Sequence, residues 1–236
     1  MYLSKYTFDN ATLLLTNDGV YSTIAETGSA LIVGKLLDGK NCYATFVIGD
    51  IALVGTDDGI YNLDGTSIEV KDISGTTVML RNVSAFAANN GQLFVGSGNK
   101  VYVGNLSDNI FTITKTYSSG ETAENAIIKI FIYSSKVGPT MYCFPIVLID
   151  NGILRLLQPD GEPIITTPVE DLTFSTSATD AAMNTIAKTL YYVDGGYLKL
   201  KILDGVSDFA DWSTAKLIKN DMITLTSDET ILKSID

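Results

Sequence analysis

Three features of the sequence predict an all-β chain with β-propeller architecture: a recurring pair of apolar segments, a tight-turn signal inside each pair, and a regular repeat length. The pairs begin at Thr12, Ala52, Gln92, Ile146, Thr189 and Met222. Successive starts are 40, 40, 54, 43 and 33 residues apart, and a four-stranded blade takes about 40 to 50 residues. We therefore predict about six four-stranded blades, with five blades plus a terminal hairpin, or a β-sandwich, as alternatives.

The polar residues inside the pairs predict β-hairpins. The turn signals are Asp18-Gly19, Asp58-Gly59, Asn151-Gly152 and Asp194-Gly195. A tight hairpin needs a positive φ at its centre, which Gly, Asn and Asp adopt at low cost. The flanking segments are rich in Val, Ile, Leu, Tyr and Thr, and these residues favour pleated strands.

Further strand-like segments bring the count towards four strands per unit. They begin at Ser67, Asn82, Asn109, Ile127 and Tyr197. The long interval between Gln92 and Ile146 contains the polar stretch SSGETAENA, which predicts a loop insertion. The segment ATDAAMNTIAK from Ala178 fits either a short helix or the entry to a strand.

The length and composition fit one folded domain. The chain has 236 residues, of which 46% are hydrophobic and 18% are charged, so it is too apolar for a disordered protein. We predict a single propeller domain over residues 1–236. Because a ring exposes an unpaired edge unless its ends are joined, we expect the strand from Tyr2 to Phe8 to complete the last blade.

Two segments resemble a known repeat. ALVGTDDGIYNLDG from Ala52 and QLFVGSGNKVYVGNL from Gln92 are similar to the middle hairpin of the short repeats in two-component-regulator-type and Kelch-like propellers. Those families usually carry a tryptophan in the first strand, whereas the only tryptophan here is Trp212, outside that position. The resemblance implies the fold and carries no function. Similar short propellers occur in bacteriophage tail nozzle and tail-tip proteins.

The charge balance argues against tight nucleic-acid binding. Lys and Arg total 16 against 27 Asp and Glu, a formal net charge of −11, and the lysines are scattered singly. No stretch approaches the roughly 20 apolar residues that cross a bilayer, and the first residues do not resemble a signal peptide. We expect a protein made in the cytoplasm, with no membrane partner. Cys42 and Cys143 are predicted to be buried free thiols.

The sequence contains no histidine. This absence excludes Ser-His-Asp and Cys-His catalysis and every histidine-containing metal site. We therefore predict no cofactor, no metal and no enzymatic activity. The glycine-rich stretch from Val95 lacks the Gly-Lys-Ser/Thr and the helix of a phosphate-binding loop.

Carboxylates remain available for a carboxylate-dependent glycosidase. The candidates are Asp57, Asp58, Glu69, Asp150, Glu170, Asp171 and Asp211. Several lie at hairpin turns, where Asp stabilises the bend, and this structural interpretation is favoured. For the turns TNDGVY and TDDGIY, the structural interpretation is also favoured over calcium binding. Arg81 and Arg155 are too few for a sialidase-type site.

Tyr21, Tyr61 and Tyr102 recur just past the turn of the first three hairpins. They are candidate contacts for a ligand or partner, including the sugars of a lectin-like propeller. Packing between blades is the favoured interpretation of such a recurring aromatic position.

We predict a non-enzymatic structural or interaction module that docks on protein partners in a larger assembly, with self-association as an option. A bacteriophage virion, and its tail in particular, is the expected location, because an acidic surface suits a wall past which DNA slides. A glycan-binding propeller and a carboxylate-dependent glycosidase are the alternatives.

Overall fold

The computed structural model describes residues 5–8, 11–26, 29–137, 140–157, 173–203 and 222–224. These residues form twenty β-strands in five sheets and contain no helix. The all-β prediction is confirmed. Among the described residues, no helix is therefore long and apolar enough to cross a membrane.

The first two sheets are antiparallel meanders in chain order. The first contains β1 (Lys5–Phe8), β2 (Ala11–Thr16), β3 (Gly19–Glu26) and β4 (Ser29–Leu36). The second contains β5 (Cys42–Ile48), β6 (Ile51–Thr56) and β7 (Ile60–Asn62).

The third sheet has a strand from outside its own meander. The short strand β8 (Glu69–Lys71) pairs in parallel with the last strand of that meander. The meander itself consists of β9 (Val83–Asn89), β10 (Gln92–Ser97), β11 (Lys100–Ser107) and β12 (Ile110–Ser118).

The last two sheets repeat the antiparallel meander. The fourth contains β13 (Ile127–Val137), β14 (Thr140–Ile149), β15 (Leu154–Leu156) and β16 (Thr173–Ser175). The fifth contains β17 (Ala178–Asn184), β18 (Thr189–Asp194), β19 (Tyr197–Ile202) and β20 (Met222–Thr224).

From the second sheet onwards, consecutive sheets contact each other through their first strands, whereas the first sheet contacts the second through β2 and β5. β5 contacts β9, β9 contacts β13, and β13 contacts β17. We call these four the inner strands. A series of meanders joined side by side at their first strands is propeller-like.

Within the described residues, the hydrophobic core has four clusters, each between two consecutive sheets. In β6, Leu53 packs towards the third sheet and Val54 towards the first. In β14, Val147 packs towards the third sheet and Leu148 towards the fifth. Because side chains alternate between the two faces of a strand, a strand buried on both faces must be apolar at successive positions. This explains the runs ALV and IVLI in the repeats.

Five of the six predicted hairpins are confirmed as the second and third strands of the five sheets. The sixth, predicted from Met222, lies outside the described residues from residue 225 onwards and stays a prediction. Met222–Thr224 is β20, which pairs with β19 as the fourth strand of the fifth sheet. The described residues thus form five sheets, and residues 225–236 lie outside them.

The N-terminal strand also differs from expectation. Lys5–Phe8 pairs with β2 in the first sheet, whereas the sequence predicts pairing in the last blade. Tyr2 lies outside the described residues. Closure of the ring stays a prediction, as does the single domain.

Two ambiguous segments are settled by the structure. The segment from Ala178 forms β17, so the strand interpretation is confirmed and the helix alternative is wrong. The stretch SSGETAENA covers the end of β12 and the loop that precedes β13. The unusual length of the interval also reflects the 11 residues of β13.

The chain between the second and third sheets makes two similar turns ten residues apart. Asn62 N donates to Thr66 O at 2.8 Å, and Asp72 N donates to Thr76 O at 2.9 Å. Between these turns lies β8, which follows the second sheet in the chain and pairs with β12 of the third sheet. Asn62 Nδ2 also donates to Asn109 Oδ1 at 2.7 Å, so the outer edges of the two sheets are joined.

Gly55 and Gly96 occupy equivalent positions, each as the last residue but one of the second strand of its meander. At these positions the neighbouring sheet comes close to the backbone. A Cβ on Gly55 would lie 2.3 Å from Val83 O, a backbone atom of the next sheet. The three atoms nearest to a Cβ on Gly96 would all be side-chain atoms, the nearest at 3.1 Å. We expect Gly55→Ala to lower the free energy of unfolding by about 2 kcal/mol, and Gly96→Ala by clearly less, in urea titrations. An equal loss for the two variants would contradict this account of the packing.

Candidate functional site

The three predicted tyrosines occupy one repeated position in the third strand of their sheets. Tyr21 pairs with Leu14, Tyr61 with Val54, and Tyr102 with Val95. The equivalent position holds Arg155 in the fourth sheet and Lys199 in the fifth. The repeat is therefore structural as well as sequential.

Each of these tyrosines contacts other residues of this chain. The Lys35 ammonium lies 5.8 Å from the Tyr21 ring centroid, and the Lys40 ammonium lies 5.0 Å from that of Tyr61. Lys40 Nζ also donates to the Tyr61 hydroxyl at 3.2 Å. Tyr102 is half-buried against the cluster between the second and third sheets, and burial raises its pKa. Their role as ligand or partner contacts stays a prediction.

Arg155 holds a loop against the fourth hairpin. Its guanidinium lies 3.3 Å from Glu121 Oε1, and its Nη1 donates to Ser119 O at 2.8 Å. Asn151 Nδ2 donates to Glu121 Oε2 at 3.2 Å. The Arg155 and Glu121 side chains are 18% and 19% exposed, so this ion pair is more shielded than the lysine pairs at Asp18 and Asp58.

The described candidate carboxylates lie at turns or in local ion pairs. Asp58 accepts from Thr56 Oγ1 at 2.8 Å and pairs with Lys40. Asp57 Oδ2 accepts from Asn41 Nδ2 at 3.0 Å. Glu69 lies 3.0 Å from Lys71 Nζ.

The remaining carboxylate candidates divide by position. Asp150 is exposed in the fourth hairpin turn. Glu170, Asp171 and Asp211 lie outside the described residues. Within the described residues, no three His, Cys, Asp or Glu side chains are grouped so as to hold a metal ion.

Both cysteines are free thiols. Cys42 is buried as predicted, and burial raises its pKa to about 11. Cys143 is a correction, because it is half-buried. Its sulfur receives a hydrogen bond from Asn89 Nδ2 at 3.3 Å and lies 3.5 Å from Ser134 Oγ.

A cleft runs along the inner strands, and we call it the inner-strand cleft. It has two adjoining chambers of about 360 and 430 Å³ that share Phe86, Ile130 and Phe131. The first chamber is lined by residues 43–45, 84–86 and 128–131. The second is lined by Phe46, residues 86–89, residues 130–132, Ser134, Met183 and Thr185.

The walls of the cleft expose apolar and polar surface in about equal measure. Phe46 and Phe86 stack with their ring centroids 6.3 Å apart. Phe131 and Met183 are half-buried and complete the wall on the side of the fourth and fifth sheets. A concave site of this size with aromatic walls and a few polar groups is typical of a binding site.

The polar groups of the cleft bind one another. Lys129 pairs with Asp180 and donates to Ala181 O at 3.3 Å. Ser84 Oγ donates to Ile127 O at 2.6 Å, and Asn89 Nδ2 donates to Ser134 Oγ at 2.7 Å. Burial raises the pKa of Tyr43, so its hydroxyl stays protonated near neutral pH. The lining can bind apolar groups and form neutral hydrogen bonds.

Sequence reasoning missed this cleft. A usable signal was present, because Phe46 and Phe86 lie 40 residues apart, each six residues before the start of a hairpin segment. The tyrosines adjoin the turn signals, whereas the phenylalanines lie in the preceding strands, where no turn signal marks them.

The sequence matches no protein-family model and no curated protein. Solved structures are similar in fold. The extracellular domain of a hybrid two component system from B. thetaiotaomicron has a TM-score of 0.61 and 12% identity, over 96% of this chain and 31% of that one. The Neurospora crassa Pan2 WD40 domain has a TM-score of 0.51 and 10% identity, over 92% and 64%.

A computationally designed protein, Ika8, is also similar, with a TM-score of 0.53 and 12% identity over 92% of this chain and 60% of that one. The chain thus spans less than two thirds of the length of each of these structures. WD40 domains are propellers, so the propeller-like fold is supported, and identities this low show the fold alone. The Kelch-like and tail-nozzle resemblances stay predictions.

The hairpin turn of the fifth sheet generates a pH prediction. Asp194 accepts from Ser177 Oγ at 2.6 Å, from Lys199 Nζ at 2.9 Å and from Ser175 Oγ at 3.0 Å. These bonds, with that of Ser177 contributing most, lower the pKa of Asp194 to about 2. A carboxylate with a lowered pKa stabilises the fold above its unfolded-state pKa, and this stabilisation disappears as the pH falls through the folded value.

We therefore expect Asp194→Asn to lose less stability than the unmodified chain between about pH 5 and pH 2, in urea unfolding measured across that range. Ser177→Ala should fall between the two. Parallel losses for Asp194→Asn and the unmodified chain would contradict the prediction.

Proposed function

We propose that this chain is a non-enzymatic protein-binding module and that the inner-strand cleft is its docking site. One observation carries the proposal. The cleft is walled by Phe46, Phe86 and Phe131, while its one ammonium group, Lys129, is already paired with Asp180. The aromatic part of this lining favours the burial of apolar side chains of a partner, and the carboxylate bound to Lys129 leaves that ammonium group without a free charge.

The electrostatics of the whole chain support a partner protein over a nucleic acid. The formal net charge is −11, and phosphate backbones are bound by clusters of Lys and Arg. The cationic groups Lys35, Lys40 and Arg155 are all engaged by carboxylates of this chain. A protein partner therefore fits the charges of this chain better than a nucleic acid does.

We further propose that the chain is a tail component of a bacteriophage virion and docks on other virion proteins. The support is the resemblance of its hairpins to short tail propellers and the acid excess, which suits a wall past which DNA slides. Mass spectrometry and imaging of purified virions would test the location. A chain absent from all virions would contradict the virion form and leave the cleft proposal to its own test.

Selection from a random peptide library tests the docking site. The full chain is immobilised, and two variants serve as a matched pair: Ala88→Lys, at an exposed position lining the cleft, and Ala123→Lys, at an exposed position in the loop before β13. Both add one positive charge, so they differ in place and not in net charge.

We expect peptides selected on the unmodified chain to bind Ala123→Lys equally and Ala88→Lys at least about tenfold more weakly. The melting temperatures of the variants control for folding. Peptides that bind both variants equally would show that docking occurs elsewhere, and a failure to enrich any peptide would contradict the proposed function. Glycan-array binding lost in Ala88→Lys alone would favour the lectin alternative.

A further inference from the structure

We propose that the inner-strand cleft binds an extended polypeptide segment that pairs with a strand edge. This segment has apolar side chains at alternate positions and is flanked by Lys or Arg. The inference rests on the proposed function. The occupant is thus defined by its backbone as well as by its side chains.

The inner strands present edges to the cleft. In a strand, alternate residues line a face, yet the cleft is lined by consecutive residues: 43–45 of β5, 84–86 and 86–89 of β9, and 128–131 of β13. Consecutive residues border one space only where the edge of the strand is turned towards it. Each of these strands is the first of its meander and, in the described sheets, is hydrogen-bonded along one edge.

Backbone groups on these edges accept hydrogen bonds from neighbouring side chains. The Ile127 carbonyl accepts from Ser84 Oγ at 2.6 Å, and the Ala181 carbonyl accepts from Lys129 Nζ at 3.3 Å. These two bonds show that the edges present backbone acceptors, and no described strand pairs with the rest of these edges. An edge without a paired strand is a template for an added strand. The seven residues of β9, between β5 and β13, give an edge about 23 Å long.

The side-chain preference follows from the walls. An extended segment directs successive side chains to opposite sides, so alternate residues would face the apolar walls formed by Phe86, Phe131 and Met183. The second chamber, about 430 Å³, has room for apolar side chains of medium size.

The charge preference follows from the field of the chain. The net charge is −11, and the Lys129 ammonium within the cleft is paired with Asp180. An acidic field accelerates the approach of cationic partners and repels anionic ones. A segment with basic flanks and a neutral centre complements both the field and the walls.

The probes are synthetic peptides of about nine residues, matched to the length of β9. The parent alternates valine and threonine and carries two lysines at each end. The second peptide replaces the lysines by glutamates. The third carries N-methyl groups on alternate backbone nitrogens along one edge, and the fourth carries them along the other edge. Binding to the full chain is measured by fluorescence anisotropy at low and moderate salt.

We expect the parent peptide to bind. The glutamate peptide should bind at least about tenfold more weakly at low salt. Of the two N-methylated peptides, one should bind at least about tenfold more weakly than the parent and the other should bind as the parent does. The Ala88→Lys variant should weaken parent binding, and Ala123→Lys should not. A cleft-dependent peptide indifferent to N-methylation on either edge would overturn edge pairing, and equal binding of the lysine and glutamate peptides would overturn the charge preference. Both outcomes leave the proposed function standing, whereas the absence of any cleft-dependent peptide in the library selection contradicts the function itself.

Discussion

The burial of the central strands on both faces is the constraint on which the rest of the structure depends. Each cluster of the core is shared by two consecutive sheets, so a sheet in the middle of the series is stabilised through both of its neighbours. Strands such as β14 must then be apolar at successive positions, and glycines such as Gly55 must occur where the neighbouring backbone comes closest. Stability in this chain is therefore a property of pairs of sheets.

The inner strands face a different environment, and this difference creates the cleft. One edge of each inner strand belongs to its own sheet, while the cleft borders the other. Neighbouring sheets share few backbone hydrogen bonds, such as that from Ile127 N to Gly98 O at 2.9 Å, and no described strand pairs with the free edges of the inner strands, so these edges remain open to a partner. The same arrangement that stabilises the fold thus leaves a binding surface along the inner strands, which is consistent with the proposed docking of an extended segment.

Much of the fold could be predicted from the sequence, because the hairpin turns carry a strong local signal. Asp18-Gly19 and Asp58-Gly59 mark tight turns through their own backbone preferences, and the apolar runs beside them follow from two-sided burial. The outer strands could not be placed, because their partners are decided by distant packing: Met222–Thr224 pairs with β19, and Lys5–Phe8 pairs with β2. The cleft was missed for a related reason, since Phe46 and Phe86 acquire their meaning only when neighbouring strands meet.

The parallel pairing of β8 with β12 limits how freely the repeats can be treated as modules. β8 is continuous with the second sheet in the chain but belongs to the third sheet by hydrogen bonding. A gene segment cut between these two sheets would deprive the third of its outer strand, whereas a cut in the connection before β17 crosses no such exchange among the described strands. Duplication, deletion or grafting of sheets should accordingly keep the second and third sheets together, because they are linked through β8.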